Sequence, residues 1–367
     1  MRLLFVILAF AACSSPTPQF AQQTIPEAEE PTRVPYALTK VVDDVEIPWG
    51  LSFLPDGSIL YTEKELKQLV RVRDGRKTLI GGLPNDILVK GQGGLLDVLY
   101  HDGWVYLSYA SSAGAGKGGH TKIIRGQIEG DRLVAQRVLY KGTPNTNRGH
   151  HWGSRLAIGA DGLLYFTIGD RGNRDENPQD LTRDGGKVYR LHPNGDVPTD
   201  NPYHGVAGNL PQIYSYGHRN PQGMDVHPVT GEVWTHEHGP RGGDELNRIQ
   251  PGTNYGWPVI TYGRNYTGTK ITDETARPGM EQPVYYWLPS IAPSGMAWVT
   301  DRYPAWAGDV LVGSLKFLYL ERLDFEDGRV VGREKLFPNR GRVRSVERAV
   351  DGTIYVGIEY EGIFRID

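Results

Sequence analysis

Six times along the chain an apolar run ends at a Gly or Asp-Gly turn and a second apolar or aromatic run follows at once. The turns are Asp56-Gly57, Asp102-Gly103, Asp161-Gly162, Thr230-Gly231, Gly308-Asp309 and Asp351-Gly352. Asp-Gly supplies the positive φ of a tight hairpin, and the flanking Val, Ile, Leu and Tyr favour strands. The clearest copies are Leu51–Tyr61, Leu156–Phe166 and Val346–Val356; Leu95–Leu107 and Met224–Trp234 are looser, and Met296–Val312 carries an insertion at its turn. Successive turn glycines lie roughly 45 to 75 residues apart, a spacing that suits four-stranded blades with loops. No sustained 3.6-residue apolar stripe interrupts the pattern, and 47 Gly with 25 Pro favour many turns. The expectation is an all-β chain: a six-bladed β-propeller of four-stranded antiparallel sheets. A two-sheet sandwich or a non-repeating barrel explains the recurrence less well. Closure of the ring pairs an early strand with a late one, and Leu38–Val45 with Gly362–Ile366 are the candidates.

The first residues differ from the rest. Arg2 precedes the apolar run Leu3–Ala12, too short for an ordinary membrane span and right for a signal h-region. Cys13, the single cysteine of the chain, follows. Ala11-Ala12-Cys13-Ser14-Ser15 resembles a bacterial lipoprotein signal, with Phe10 where Leu is usual; the other reading is a plain secretory signal with a chance cysteine. Both export the chain to the periplasm or cell envelope, the first with a lipid anchor on Cys13. Ser14–Pro35, rich in Pro, Gln, Thr and Glu, reads as a flexible tether, so the expected organisation is leader 1–13, tether 14–35 and propeller 36–367. One cysteine permits no intrachain disulfide, and a net charge of −3 gives no electrostatic reason to expect nucleic acid.

In a propeller the chain enters and leaves each inner hairpin at the end opposite its turn. Residues flanking the six hairpins therefore gather on one face. Those positions hold Gln92, His151, Arg219, Asn220, Lys316, Arg342 and Arg344. Four of the seven are cations, and that density is unfavourable unless an anion binds there. A planar polycarboxylate or a phosphate would satisfy it, and neighbouring glycines let a flat ligand approach the backbone. Singly, each residue has a plainer reading as a surface ion-pair partner or a turn hydrogen bonder.

Gly239-Pro240-Arg241-Gly242-Gly243-Asp244-Glu245 is an oxygen-rich turn of the kind calcium prefers, with the Gly239 and Pro240 carbonyls as candidates and Asp244 or Glu245 nearby. Asp170-Arg171-Gly172-Asn173-Arg174-Asp175 reads as a solvated loop. His150-His151 and His236-Glu237-His238 lack the hydrolytic zinc spacing. No Gly-x-Gly-x-x-Gly helix start and no Gly-x-Ser-x-Gly elbow is evident.

These motifs resemble the pyrroloquinoline-quinone-dependent glucose and aldose sugar dehydrogenases, from about Pro48 to the C-terminus. The resemblance rests on Tyr216-Gly217-His218-Arg219-Asn220-Pro221-Gln222-Gly223, on Glu237-His238-Gly239-Pro240 with Asp244-Glu245-Leu246-Asn247, on Asn254-Tyr255-Gly256-Trp257-Pro258 and on Ser314-Leu315-Lys316. It implies a quinone held across the top face, with His151 as base and Arg219, beside Asn220, polarising the reactive carbonyl. It implies that Gln92, Lys316, Arg342 and Arg344 contact the cofactor. It further implies that the Gly239 and Pro240 carbonyls hold a calcium that also binds the quinone, and that Glu245 and Tyr255 serve a further structural calcium. The reaction implied is oxidation of an aldose at its anomeric carbon to an aldonolactone. The acidic residue that precedes the base in the glucose enzymes is His150 here, closer to the aldose sugar dehydrogenase branch, and it leaves open what orients His151. No haem attachment motif is present, so electrons leave to a separate acceptor. A calcium-dependent lactonase or esterase, or a non-catalytic carbohydrate-binding propeller, are the alternatives.

Overall fold

The structure, a computed structural model, describes residue 25, residues 27–31 and residues 33–367. The leader and Cys13 lie outside the described residues. The expected propeller is what is found: six four-stranded antiparallel sheets, with no helix among the described residues. Blade 1 comprises Pro48–Phe53, Ile59–Glu63, Gln68–Arg73 and Arg76–Ile80. Blade 2 comprises Leu95–His101, Trp104–Ser111, His120–Glu129 and Arg132–Lys141. Blade 3 comprises Leu156–Ile158, Leu164–Ile168, Lys187–Leu191 and Ile213–Tyr216, and blade 4 Pro221–Val226, Val233–Glu237, Asp244–Arg248 and Tyr285–Trp287. Blade 5 comprises Pro293–Trp298, Val310–Ser314, Leu320–Glu326 and Arg329–Leu336. Blade 6 takes Val343–Arg348, Ile354–Ile358 and Gly362–Ile366, and its outer strand is the early segment Leu38–Val42. Leu38 pairs with Ile366 and Lys40 with Phe364, the ring closure expected from the sequence. All six turns join the first and second strands of a blade.

The second strand of a blade is covered on both faces by its neighbours, so its side chains are buried at every position in four blades and at all but one position, Trp104 and Tyr355, in blades 2 and 6. Ile59–Glu63, Leu164–Ile168 and Val310–Ser314 show this. Apolar side chains fill each blade-to-blade interface in turn. Leu60, Leu69 and Ile80 of blade 1 meet Leu95, Leu107 and Ile124 of blade 2. Trp234 and Trp287 of blade 4 meet Trp298 and Val312 of blade 5.

Each interface also has one buried polar bridge near the axis, which keeps main-chain carbonyls satisfied where no water reaches. Thr62 donates to Leu96 O at 2.5 Å, Ser108 to Ser154 O at 2.6 Å and Thr167 to Pro221 O at 2.9 Å. His236 Nε2 reaches Gly295 O at 3.1 Å, Ser294 donates to Arg344 O at 2.7 Å and Ser345 to Pro48 O at 2.9 Å. The set runs around the whole ring.

Arg155 fills the centre. Its guanidinium donates to Gln222 O at 2.6 Å, Trp49 O at 3.0 Å, Arg344 O at 3.2 Å and Asp97 Oδ1 at 3.2 Å, and lies 4.0 Å from the Trp49 ring centroid. One side chain of blade 3 thus ties blades 1, 2, 4 and 6. Gly50 makes room for its partner Asp97, because a Cβ there would come within 2.5 Å of Asp97 Oδ1. Of the segment read as a tether, the described part lies against blades 5 and 6. Glu29 O accepts Lys335 N, Ala28 is buried, and Val34 packs against the core between blades 5 and 6.

Replacing Arg155 with Met leaves the Asp97 carboxylate buried without its cation. Removing one member of a buried pair costs about 3–5 kcal/mol, so urea unfolding of Arg155→Met should show a loss of that order. A loss below about 1 kcal/mol would mean that the central guanidinium does not hold the ring.

Candidate active site

The loops opposite the six turns enclose a cavity of about 1100 Å³. Its wall includes Gln92, Lys316, Arg342 and Arg344, four of the seven residues expected to converge, together with the calcium candidates Gly239 and Pro240 and with Trp49, Gln222, Lys64 and His238. The other three join through hydrogen bonds. His151 N donates to Gln92 Oε1 at 2.8 Å, Arg219 Nη1 donates to His238 O and Gly239 O at 2.8 and 2.9 Å, and Asn220 O accepts His238 N at 3.2 Å.

The motif around Arg219 is held by Glu237. This buried carboxylate accepts the amides of Arg219 and Asn220 and receives His218 Nδ1 at 2.9 Å. The two sequence motifs that carry these residues therefore depend on one contact. Asn220 is left with a buried Nδ2 that has no partner, a donor available to a ligand.

His151 is better supported than the sequence suggests. Its Nδ1 lies 2.6 Å from Asp170 Oδ1, and Asp170 is 1% exposed. The loop read as solvated is therefore corrected at its start: Asp170 and Arg171 are buried, and Asp170 answers what orients the base. The reason is tertiary. Arg171 stacks 3.4 Å from the Trp152 ring centroid and donates to the carbonyls of His150 and Arg148, which anchors the polar run inward. His151 itself adopts φ 56°, rare for a residue with a Cβ and typical of positions where the surroundings enforce the geometry. Burial, and then the charge of Arg219, push its imidazole down to about 4 against the pull of Asp170. The ring is accordingly neutral at pH 7 and able to accept a proton. Burial opposes ionisation of Asp170, but His151, Arg219 and the Gly172 amide together hold it below the usual carboxylate range.

The charge balance needs one correction. Arg342 Nε and Arg344 Nη2 both bind Glu359, at 2.6 and 2.5 Å. Four cations less this carboxylate leave an excess of three, and Arg241 on the same wall, with no carboxylate within 4.0 Å among the described residues, adds to it. Lys316 and Arg219 have no carboxylate within 4.0 Å among the described residues. Burial would raise Glu359, yet Arg344 and Arg342 hold it below its ordinary value.

The calcium candidates separate into two groups. Pro240 and Gly239 line the cavity, and the Gly239 carbonyl is also the acceptor for Arg219. Asp244 is committed elsewhere: it accepts the Gly239 amide, the Ser290 hydroxyl and the amides of Ile291 and Ala292. Glu245 lies opposite Glu237 across the two strands, and burial together with Glu237 pushes it well above the usual carboxylate range. That mutual repulsion is what a bound cation relieves. The Tyr255 hydroxyl is taken by Arg248 O and Gln250 N, which leaves its main-chain carbonyl to offer. Among the described residues no group of three or more His, Cys, Asp or Glu side chains is arranged to hold a metal. His236 and His238 instead meet main-chain carbonyls.

The depressed histidines fix the sign of acid sensitivity. His151 at about 4 and His236 at about 3 stay neutral in the fold, whereas the unfolded chain protonates them near 6.5. Their contribution to stability is whole above about pH 6.5 and is lost as pH falls through those folded values. Urea midpoints should therefore drop between pH 6.5 and 4. A midpoint unchanged over that range would contradict the burial of both rings.

Comparison with known proteins agrees with this geometry. Residues 45–364 match the family model described as Glucose / Sorbosone dehydrogenase. The chain is 37% identical to the aldose sugar dehydrogenase YliI of Escherichia coli strain K12, over 86% of this chain and 87% of that protein. Its fold matches the apo-form crystal structure of the aldose sugar dehydrogenase from Escherichia coli with a TM-score of 0.85 at 33% identity, covering 90% of this chain and 99% of that one. It matches the PQQ-bound form of the Streptomyces coelicolor aldose sugar dehydrogenase with a TM-score of 0.75 at 27% identity, covering 92% and 99%. A propeller whose axial loops carry an aspartate-oriented histidine beside a cation-lined cavity, matched over nearly its whole length, belongs to the Glucose / Sorbosone dehydrogenase family.

Proposed function

We propose that the chain oxidises aldose sugars at the anomeric carbon to aldonolactones with pyrroloquinoline quinone as cofactor and calcium as its partner ion. The observation that carries this reading is the neutral, aspartate-held His151 at the edge of a cavity with an excess of positive charge. The quinone is flat and carries three carboxylates, so its charge is opposite in sign to that excess. Gln92, Asn220, Lys316, Arg342 and Arg344 would hold it, and the unpartnered Asn220 Nδ2 is one donor ready for it. The Gly239 and Pro240 carbonyls would serve the calcium at the cofactor, and Glu245 with the Tyr255 carbonyl a structural calcium.

The chain's own part in the reaction follows from its geometry. With Nδ1 engaged by Asp170, His151 presents Nε2 as the free acceptor for the sugar hydroxyl proton. Asp170 stays ionised and stabilises the imidazolium that forms. Arg219, fixed by the His238 and Gly239 carbonyls, places positive charge where an oxyanion develops. When bound, the quinone supplies the two-electron acceptor that takes the anomeric hydride. We further propose export through the N-terminal leader, with Cys13 lipidated, and transfer of the electrons to a separate carrier.

Apoprotein given the quinone and calcium should reduce an electron-accepting dye with a panel of aldoses. Hydrolysis of lactones or esters without quinone would contradict the proposal. His151→Gln should bind the quinone as before, with kcat lowered by about 10²–10⁴. With the base at about 4, wild-type kcat/KM should not fall as pH is lowered from 8 to about 5; an acid limb near 6.5 would show that His151 is not held as described. Removing calcium with a chelator should lower the melting temperature of wild-type protein, and that shift should shrink in Glu245→Gln.

A further inference from the structure

Trp257 is buried and touches both halves of the site. Its indole Nε1 donates to Asp170 Oδ2 at 2.9 Å, and its ring centroid lies 5.4 Å from the Arg219 guanidinium. We propose that Trp257 is a positioning residue for the base, its indole N–H locking the Asp170 carboxylate that orients the His151 ring. The proposal rests on the reading of His151 as base.

The terminal torsion of an aspartate is soft, with no narrow staggered well. A carboxylate bonded on one oxygen can therefore swing and carry its partner with it. In Asp170 both oxygens are held from different directions. Oδ1 meets His151 Nδ1 and the Gly172 amide, each at 2.6 Å, and among the described residues Oδ2 meets only the Trp257 indole. The aspartate backbone is fixed as well, its N–H on Arg219 O and its carbonyl accepting Asn177 Nδ2. The indole is placed by its own backbone: Trp257 N donates to Gly217 O at 2.9 Å, and its carbonyl accepts Gln179 Nε2 at 2.8 Å. Gln179 in turn exchanges two hydrogen bonds with Asn254. The Asn254-Tyr255-Gly256-Trp257 segment thus connects blade 4 to the base carried by the loop before blade 3. The charged and titratable groups facing His151 are Asp170, Arg219 and His150, and Trp257 adjoins the first two.

Trp257→Phe retains an aromatic ring and deletes the N–H. It should lower kcat about tenfold while quinone affinity and the sugar KM stay within about twofold. In an Asp170→Asn background it should cost nothing further, because the two act in series. An equal loss in both backgrounds would overturn the proposal and leave Trp257 as packing. A second readout needs no turnover. In ¹⁵N-histidine spectra of the apoprotein, Trp257→Phe should move the His151 ring nitrogens toward a mixture of tautomers, and unmoved signals would overturn the proposal. Should the Phe variant fail to fold, Asp170→Asn in the otherwise unaltered chain must shift the Trp257 indole N–H resonance; an unshifted one sinks the clamp. These spectra decide the point even if no aldose is oxidised, so a failure of the proposed function is distinguishable from a failure of the clamp.

Discussion

The buried guanidinium of Arg155 is the constraint from which the rest follows. A ring of six sheets leaves main-chain carbonyls facing an axis too narrow for bulk water. Arg155 satisfies those of Trp49, Gln222 and Arg344 at once and pairs its charge with Asp97. Few side chains offer enough donors in a rigid plane to do this. Once the centre is filled, the inner strands have little freedom, and the loops above them inherit fixed positions. Trp49, Gln222 and Arg344, which all touch Arg155, also form part of the cavity wall. The structural centre and the floor of the site are therefore one set of contacts.

The loops above that floor combine two opposing demands. One is an excess of cations around an open cavity, with Arg219 and Arg344 buried and Lys316 and Arg342 exposed, which favours a polyanionic ligand. The other is a neutral base. Arg219 serves both, since its charge helps keep His151 unprotonated and its guanidinium donates to the carbonyl of the cavity-lining Gly239. Asp170 limits the conflict by holding the imidazole without protonating it. Glu359 plays the matching role beside Arg342 and Arg344, which it joins, countering their mutual repulsion.

Much of this was legible in the chain because the hairpins are local. Asp-Gly turns with flanking apolar runs mark the inner strand pairs, and their number sets the number of blades. The convergence of Gln92, Lys316, Arg342 and Arg344 then follows from topology. Asp170 was not legible: Asp-Arg-Gly-Asn-Arg-Asp looks solvated, and only the stacking of Arg171 on Trp152 turns it inward. Glu359 left a usable signal. Val343 pairs with Ile358, so a residue just before one strand faces a residue just after the other, and an arginine opposite a glutamate could have been expected. The contacts of Ala28, Glu29 and Val34 were hidden by a composition that suits a tether equally well. Trp257 sat inside a recognised motif, but a motif does not say which atom a buried indole addresses.

The central claim is that the axial cavity recognises a flat quinone by its negative charges. Calorimetric titration of the apoprotein, in calcium, with pyrroloquinoline quinone and with its trimethyl ester tests it most directly, because the two share a ring system and differ in charge. The account predicts one quinone bound per chain, with an affinity that falls as salt is raised, and binding of the ester weaker by at least about 100-fold. Equal affinity for the two, or no saturable binding of either, would contradict it.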